Sequence, residues 1–154
     1  MIRFSGLAAS VVPTICLGTQ HKQVVEPMAV RPDPSINALG GPLEPCSTDP
    51  VTGFFRNSAC DTCSQDQGSH TVCAIMTAEF LAYSKYLGND LSTPRPEYSF
   101  PGLQPGDNWC LCAGRFLQAH HENVAPQIRL CATHQRATEI VPLHILRLYA
   151  VDVD

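Results

Sequence analysis

Trp109-Cys110-Leu111-Cys112-Ala113-Gly114-Arg115-Phe116-Leu117-Gln118-Ala119-His120-His121 changes its hydrophobic period part-way along. From Trp109 to Ala113 the pattern alternates as in a strand, with Trp109 and Leu111 on one face and Cys110 and Cys112 on the other. A helix follows, with Ala113, Phe116, Leu117 and His120 on one side, and Pro126 ends it. Further upstream, Val72, Ile75, Met76, Glu79, Phe80, Tyr83 and Leu87 fall at i, i+3, i+4, i+7 spacing. That spacing predicts one amphipathic helix starting near His70, capped by Ser69 or Thr71 and ended at Gly88. Downstream, Ile128 to Ala132 alternates as a second strand, and Thr133 to Val141 fits either a short helix or a strand. Pro142 opens a last helix through Tyr149, since proline suits the first helical position. Pro42 to Gly53 reads as turns, and Phe54 to Arg56 as a turn or short strand. The expected fold class is α+β, a small single domain with three or four short strands packed with about three helices.

Between the first two helices, Gly88 to Asp107 carries Pro94, Pro96, Pro101 and Pro105, which neither a helix nor an inner strand tolerates. Tyr98, Phe100 and Leu103 give this stretch apolar anchors, so a long ordered Pro-rich loop packed on the core is expected. Residues 1–41 differ in composition from the rest. Arg3 precedes an apolar run, Leu7 to Leu17, broken by Pro13, and then come Pro27, Pro32, Pro34 and Gly40-Gly41. This reads as a disordered leader or a targeting segment, with 42–154 as the single globular domain. A cytoplasmic location is the expectation, with a mitochondrial or plastid one the alternative if the leader is a transit signal.

The net charge of −4, with ten basic residues scattered and never in a run, excludes the clustered basic surface that nucleic acid requires. No stretch approaches the roughly 18 apolar residues of a membrane-spanning helix. A hydrophobic share of 44% builds a core without staples, so the eight cysteines call for a chemical reading.

Three readings use overlapping residues. A cysteine nucleophile would be Cys73, in the first turn of the expected helix, with His70 three residues earlier as base and Asp49, Asp90 or Asp107 orienting it. A zinc site would draw on Cys46, Cys73, Cys110, Cys112 and His134, because Cys110 and Cys112 point the same way about 6 to 7 Å apart on one strand. Cys60-x-x-Cys63 has zinc-knuckle spacing and is also a dithiol that could switch or bridge. A binding module would use the loop 88–107, with Asp90, Arg95, Asp107 and Trp109 around a small ligand or a partner's peptide, Arg95 clamping a carboxylate or phosphate. Against each stands a structural use: cysteines are often simply buried, His70 could cap a helix, and Asp90, Ser92 and Thr93 could bond their own loop. His120-His121 close a helix, where positive charge is favourable, and are expected to be exposed.

Five blocks carry a resemblance: Glu44-Pro-Cys46-Ser-Thr-Asp49-Pro-Val-Thr-Gly-Phe-Phe-Arg56, Gly68-Ser-His70-Thr-Val-Cys73, Gly88-Asn-Asp90-Leu-Ser-Thr-Pro94, Phe100-Pro-Gly-Leu-Gln-Pro-Gly-Asp107-Asn-Trp109-Cys-Leu-Cys112-Ala, and Ala132-Thr-His134. Over about residues 39–151 the chain resembles the uncharacterised family called domain of unknown function 2237. The resemblance implies a compact stand-alone domain, mostly intracellular, and brings no assigned activity. It also implies that Cys46, Cys60, Cys73, Cys110, Cys112, His70 and His134 match the family pattern, whereas Cys63 stands where a glycine is expected. The combined expectation is a domain that binds a small ligand or partner at a Cys/His/Asp-lined site beside the loop 88–107. The alternatives are the Cys73/His70 enzyme and the zinc protein.

Overall fold

The computed structural model describes residues 35–154. The expected leader therefore lies outside the described residues as far as residue 34. Residues 35–41 pack on the domain: Ala38 N–H donates to the Thr133 carbonyl, and Asn37 forms a bridge with His134. The domain is a small α+β fold with a two-stranded antiparallel sheet, β1 (His70–Ile75) and β2 (Asn108–Cys112). Three helices accompany it, α1 (Ala78–Tyr86), α2 (Ala113–His121) and α3 (Leu143–Leu148), along with short 3-10 turns at Pro96–Tyr98, Leu130–Ala132 and Gln135–Glu139.

The helix expected from His70 is half strand. Thr71, Val72 and Ile75 are β-branched, and the segment from Thr71 to Ala74 is buried on both faces. A short apolar run buried on both sides has no alternation, so its spacing mimics a helix. The helical part begins only after Thr77, whose hydroxyl accepts from Phe80 N–H at 3.0 Å. Its end is as expected: Gly88, at φ +86°, takes the left-handed position after Leu87.

Register fixes which side chains meet. Val72 lies opposite Leu111, Cys73 opposite Cys110, Ala74 opposite Trp109 and Ile75 opposite Asn108. Val72, Ala74, Leu111 and Trp109 belong to the main core with Phe80, Phe116, Ile128 and Leu146. Cys73 and Cys110 belong to a second buried cluster with Cys46, Cys60 and Ala132. The sheet thus separates an aliphatic and aromatic core from a sulfur-rich one. A bulge at Thr71 shifts the ladder before its last pair, His70 opposite Cys112.

Among the described residues two strands form where three or four were expected. Ile128 does run beside β1, forming a bridge with Ala74, and Arg129 N–H donates to the Cys73 carbonyl. The next two N–H groups, of Leu130 and Cys131, go instead to the Asp152 carboxylate at 2.8 and 2.9 Å. That side chain replaces a strand partner and turns the chain into a 3-10 turn. The last helix forms where expected, with Pro142 as its N-cap, one position before the first helical residue, and Tyr149 as its C-cap, and Thr133 to Val141 contains a 3-10 turn. The Pro-rich loop packs through Leu103, which is 2% exposed, and through Phe100 against Trp109. Among the described residues no helix is long and apolar enough to cross a membrane.

Candidate functional site: a thiol, an imidazole and a buried carboxylate

Strand β2 ends and α2 begins without a loop, so Cys112 is both the last strand residue and the N-cap of the helix. Its thiol is free and partly exposed. Helix N-termini leave N–H groups without carbonyl partners, and Cys112 makes no side-chain cap bond. Ala113 N–H donates to the Ser69 carbonyl at 2.9 Å. The next two N–H groups, of Gly114 and Arg115, belong to residues that line an open pocket of about 580 Å³ beside Cys112. Gly68, Gln118 and His121 line it too.

The last pair of the ladder sets His70 opposite Cys112, which puts the two side chains on one face within cross-strand reach. The His70 ring is then fixed from behind. Its Nδ1–H donates to Asp66 Oδ1 at 2.6 Å, and the Asp66 side chain is fully buried. The other carboxylate oxygen accepts the His70 backbone N–H and the Thr62 hydroxyl, each at 2.9 Å. Phe54 stacks on the ring with centroids 6.1 Å apart. With Nδ1 on Asp66, Nε2 is the nitrogen left for the thiol. His70 is pushed up to about 9, first by its hydrogen bond with Cys112, against the effect of burial, and then by the charge of Cys112 and by Asp66. The imidazole therefore keeps its proton at neutral pH.

Gly68 lets this assembly close. A Cβ there would lie 2.7 Å from His70 Cε1 and 3.2 Å from Cys112 Sγ, so one methyl would touch both groups.

The residues expected from sequence divide between this site and other duties. His70 is in the site, but its partner is Cys112 and not Cys73. Cys73 lies in β1, away from any helix start, and is disulfide-bonded to Cys46, while Cys60 is bonded to Cys110. Cys63 is also disulfide-bonded, and not to Cys60. Among the expected zinc ligands, Cys46, Cys73 and Cys110 do come together, joined by Cys60. Cys112 faces His70 instead, and His134 Nδ1 accepts Arg136 N–H at 3.0 Å to cap a 3-10 turn, burial holding its pKa down.

The loop residues serve the loop. Asp90 accepts Ser92 N–H, Thr93 N–H and the Thr93 hydroxyl, and Arg95 pairs with Glu97. Asp107 accepts Gln104 N–H at 2.8 Å, next to the end of the ladder remote from Cys112, roughly 13 Å away at strand rise. Trp109 is core, with Arg56 over its ring at 5.0 Å. A second pocket of about 340 Å³ takes Tyr98, Ser99 and Pro101 from this loop, with Arg56, but none of Asp90, Arg95, Asp107 or Trp109.

Asp66, Gly68, Gly114 and Arg115 were not anticipated. The available signals were Asp66 four residues before His70 in a turn-rich stretch, and Ala113 counted in both strand and helix. His120, expected to be exposed, shares a hydrogen bond with the Tyr149 hydroxyl at 2.8 Å, and His121 faces the pocket.

Fold and site together define a small α+β domain carrying a thiol–imidazole–carboxylate series at a strand-to-helix junction. The chain belongs to the DUF2237 family, described as an uncharacterized protein conserved in bacteria, whose model matches residues 36–150. Comparison with curated proteins gives no match.

Proposed function

We propose that the domain is a cysteine-dependent acyl-transfer or hydrolytic enzyme with Cys112 as nucleophile, His70 as acid and base, and Asp66 as the positioning residue. The observation that carries this reading is the series Cys112, His70, Asp66, with the carboxylate buried and the thiol free at a helix start beside a pocket. A thiolate facing an imidazolium is the resting pair of cysteine nucleophiles, and a helix start favours negative charge at that point.

The chemistry follows from the geometry. The Cys112 thiolate attacks the carbonyl carbon of an acyl donor in the pocket. The carbonyl oxygen takes the negative charge, and the Gly114 and Arg115 N–H groups are the donors nearest to stabilise it. His70 gives its Nε2 proton to the leaving group, which departs and leaves an acyl thioester on Cys112. Water then attacks that thioester, His70 takes its proton, and the acid leaves as the thiolate–imidazolium pair is restored. Asp66 holds the ring's other nitrogen throughout, keeping Nε2 toward sulfur. The loop 88–107 has no part in this reading, because its charged side chains are engaged within the loop.

The test uses short-chain acyl aryl thioesters. Turnover, with an acyl adduct mapped by mass to the Cys112 peptide, is the expected result. Cys112→Ser should abolish it, and His70→Gln should slow it about a hundredfold or more. Turnover that survives in Cys112→Ser would overturn the assignment.

A further inference from the structure

Five buried cysteines lie outside the thiol–imidazole site, and four of them, Cys46, Cys60, Cys73 and Cys110, share one cluster. Cys46 is 3% exposed, Cys60 0%, Cys73 0% and Cys110 1%. Cys73 and Cys110 are a cross-strand pair at the centre of the sheet. Cys46 and Cys60 come from one loop that folds back on itself, Cys46 N–H donating to the Ser58 carbonyl at 2.7 Å. The Cα–Cα distances across the two bridges are 5.7 and 5.2 Å. The two disulfides also lie against each other: the sulfurs of Cys46, Cys60 and Cys110 are all within 4.8 Å of one another. Cys73 is bonded directly to the first of these. Two independent structural bridges have no need to share one pocket. A tetrahedral ion with metal–sulfur bonds of about 2.3 Å needs its four sulfurs roughly 3.8 Å apart, inside the 4.8 Å that spans three of them here.

We infer that Cys46, Cys60, Cys73 and Cys110 form a four-thiolate zinc site when reduced, and that the two disulfides are its oxidised, metal-free state. Each disulfide accepts two electrons and two protons from a dithiol reductant, which leaves as its own disulfide. Four thiols result, and binding of Zn²⁺ releases their four protons. In reverse, a two-electron oxidant such as peroxide removes a pair of electrons per bridge and the ion is expelled. Four thiolates and no nitrogen or oxygen donor suit a soft, redox-inactive ion, and the buried site suits a structural role over a catalytic one. The pairing of bridges then follows from the strands: each strand cysteine takes one partner from the loop above it.

The experiment uses the full chain, reduced with a phosphine and given Zn²⁺ or Co²⁺ alone. One ion per chain is expected, with the visible and charge-transfer absorption of tetrahedral four-thiolate cobalt. Zinc should protect these four cysteines from alkylation while Cys112 and Cys131 react as before. Peroxide should release one zinc and restore the Cys46–Cys73 and Cys60–Cys110 bridges on peptide mapping. A reduced, folded chain that binds no ion, shows a cobalt spectrum with fewer thiolates, or loses no alkylation rate at these four positions would overturn the inference.

Discussion

At the scale of single residues, the chemistry depends on which cysteine has both a free thiol and a histidine. Cys73 has the sequence neighbour, three residues from His70, but it pairs in the ladder with Cys110 and is bonded to Cys46. Cys112 is forty-two positions from His70 in sequence and opposite it in the sheet. A contact of that kind depends on strand register, which local spacing does not encode. Asp66 was out of reach for a similar reason: its role needs the tight turn through Gly68 and Ser69, with Ser69 at φ 49°. Gly68 gives this scale its prediction. Gly68→Ala should keep the fold, at a cost of ~1–3 kcal/mol for the crowded contact. It should also slow acylation of Cys112 about a hundredfold, since small displacements of a reacting pair cost that much. Thermal unfolding and thioester turnover measured on one sample separate the two effects. Unchanged turnover would show that the ring and thiol do not need their observed closeness.

At the scale of elements, legibility followed periodicity. The β2–α2 unit was readable because one face alternates and the next segment repeats at helical spacing, and its observed bounds match the reading closely. The end of α1 and the start of α3 were readable from Gly88 and Pro142. Strand β1 was not, because burial on both faces removes the alternation. The expected strand at Ile128 was lost to the Asp152 carboxylate, a contact across more than twenty residues that no local pattern announces. Hydroxyls do comparable work on the strand cysteines. Thr133 Oγ1 accepts Cys73 N–H at 3.1 Å, and Thr52 Oγ1 accepts Cys110 N–H at 2.9 Å. Both threonines are fully buried. Thr133→Val keeps the shape but strands the Cys73 N–H, so it should destabilise by ~1–3 kcal/mol in urea unfolding. A neutral result would mean that the N–H finds another partner.

At the scale of the molecule, a two-stranded sheet is marginal by itself and needs a helix face and cross-links to hold it. The helices supply one side through the main core, and the sulfur cluster ties the other side to the loop carrying Cys46 and Cys60. Bridges closing loops of 27 and 50 residues constrain the unfolded chain by about 3 to 5 kcal/mol each in the chain-entropy view. That staple fixes β1 and β2, and with them the register that sets His70 against Cys112. The site is thus the end of a ladder whose middle is clamped. On the proposed mechanism His70 keeps Cys112 reactive. The sign follows from the raised value of His70: its positive charge is present below about 9 and lost above it. The most direct measurement is the iodoacetamide rate at Cys112 and at Cys131, mapped by peptide mass from about pH 6 to about pH 9, in wild type and His70→Gln. Cys131 is the internal reference, a free thiol pushed up by burial and by Asp152. Cys112 is expected to react faster in wild type than in His70→Gln below about pH 9, where His70 is charged, with the gap narrowing toward that pH. The Cys131 rate should be the same in both proteins. A Cys112 rate that is the same in wild type and His70→Gln at every pH would contradict the proposed mechanism.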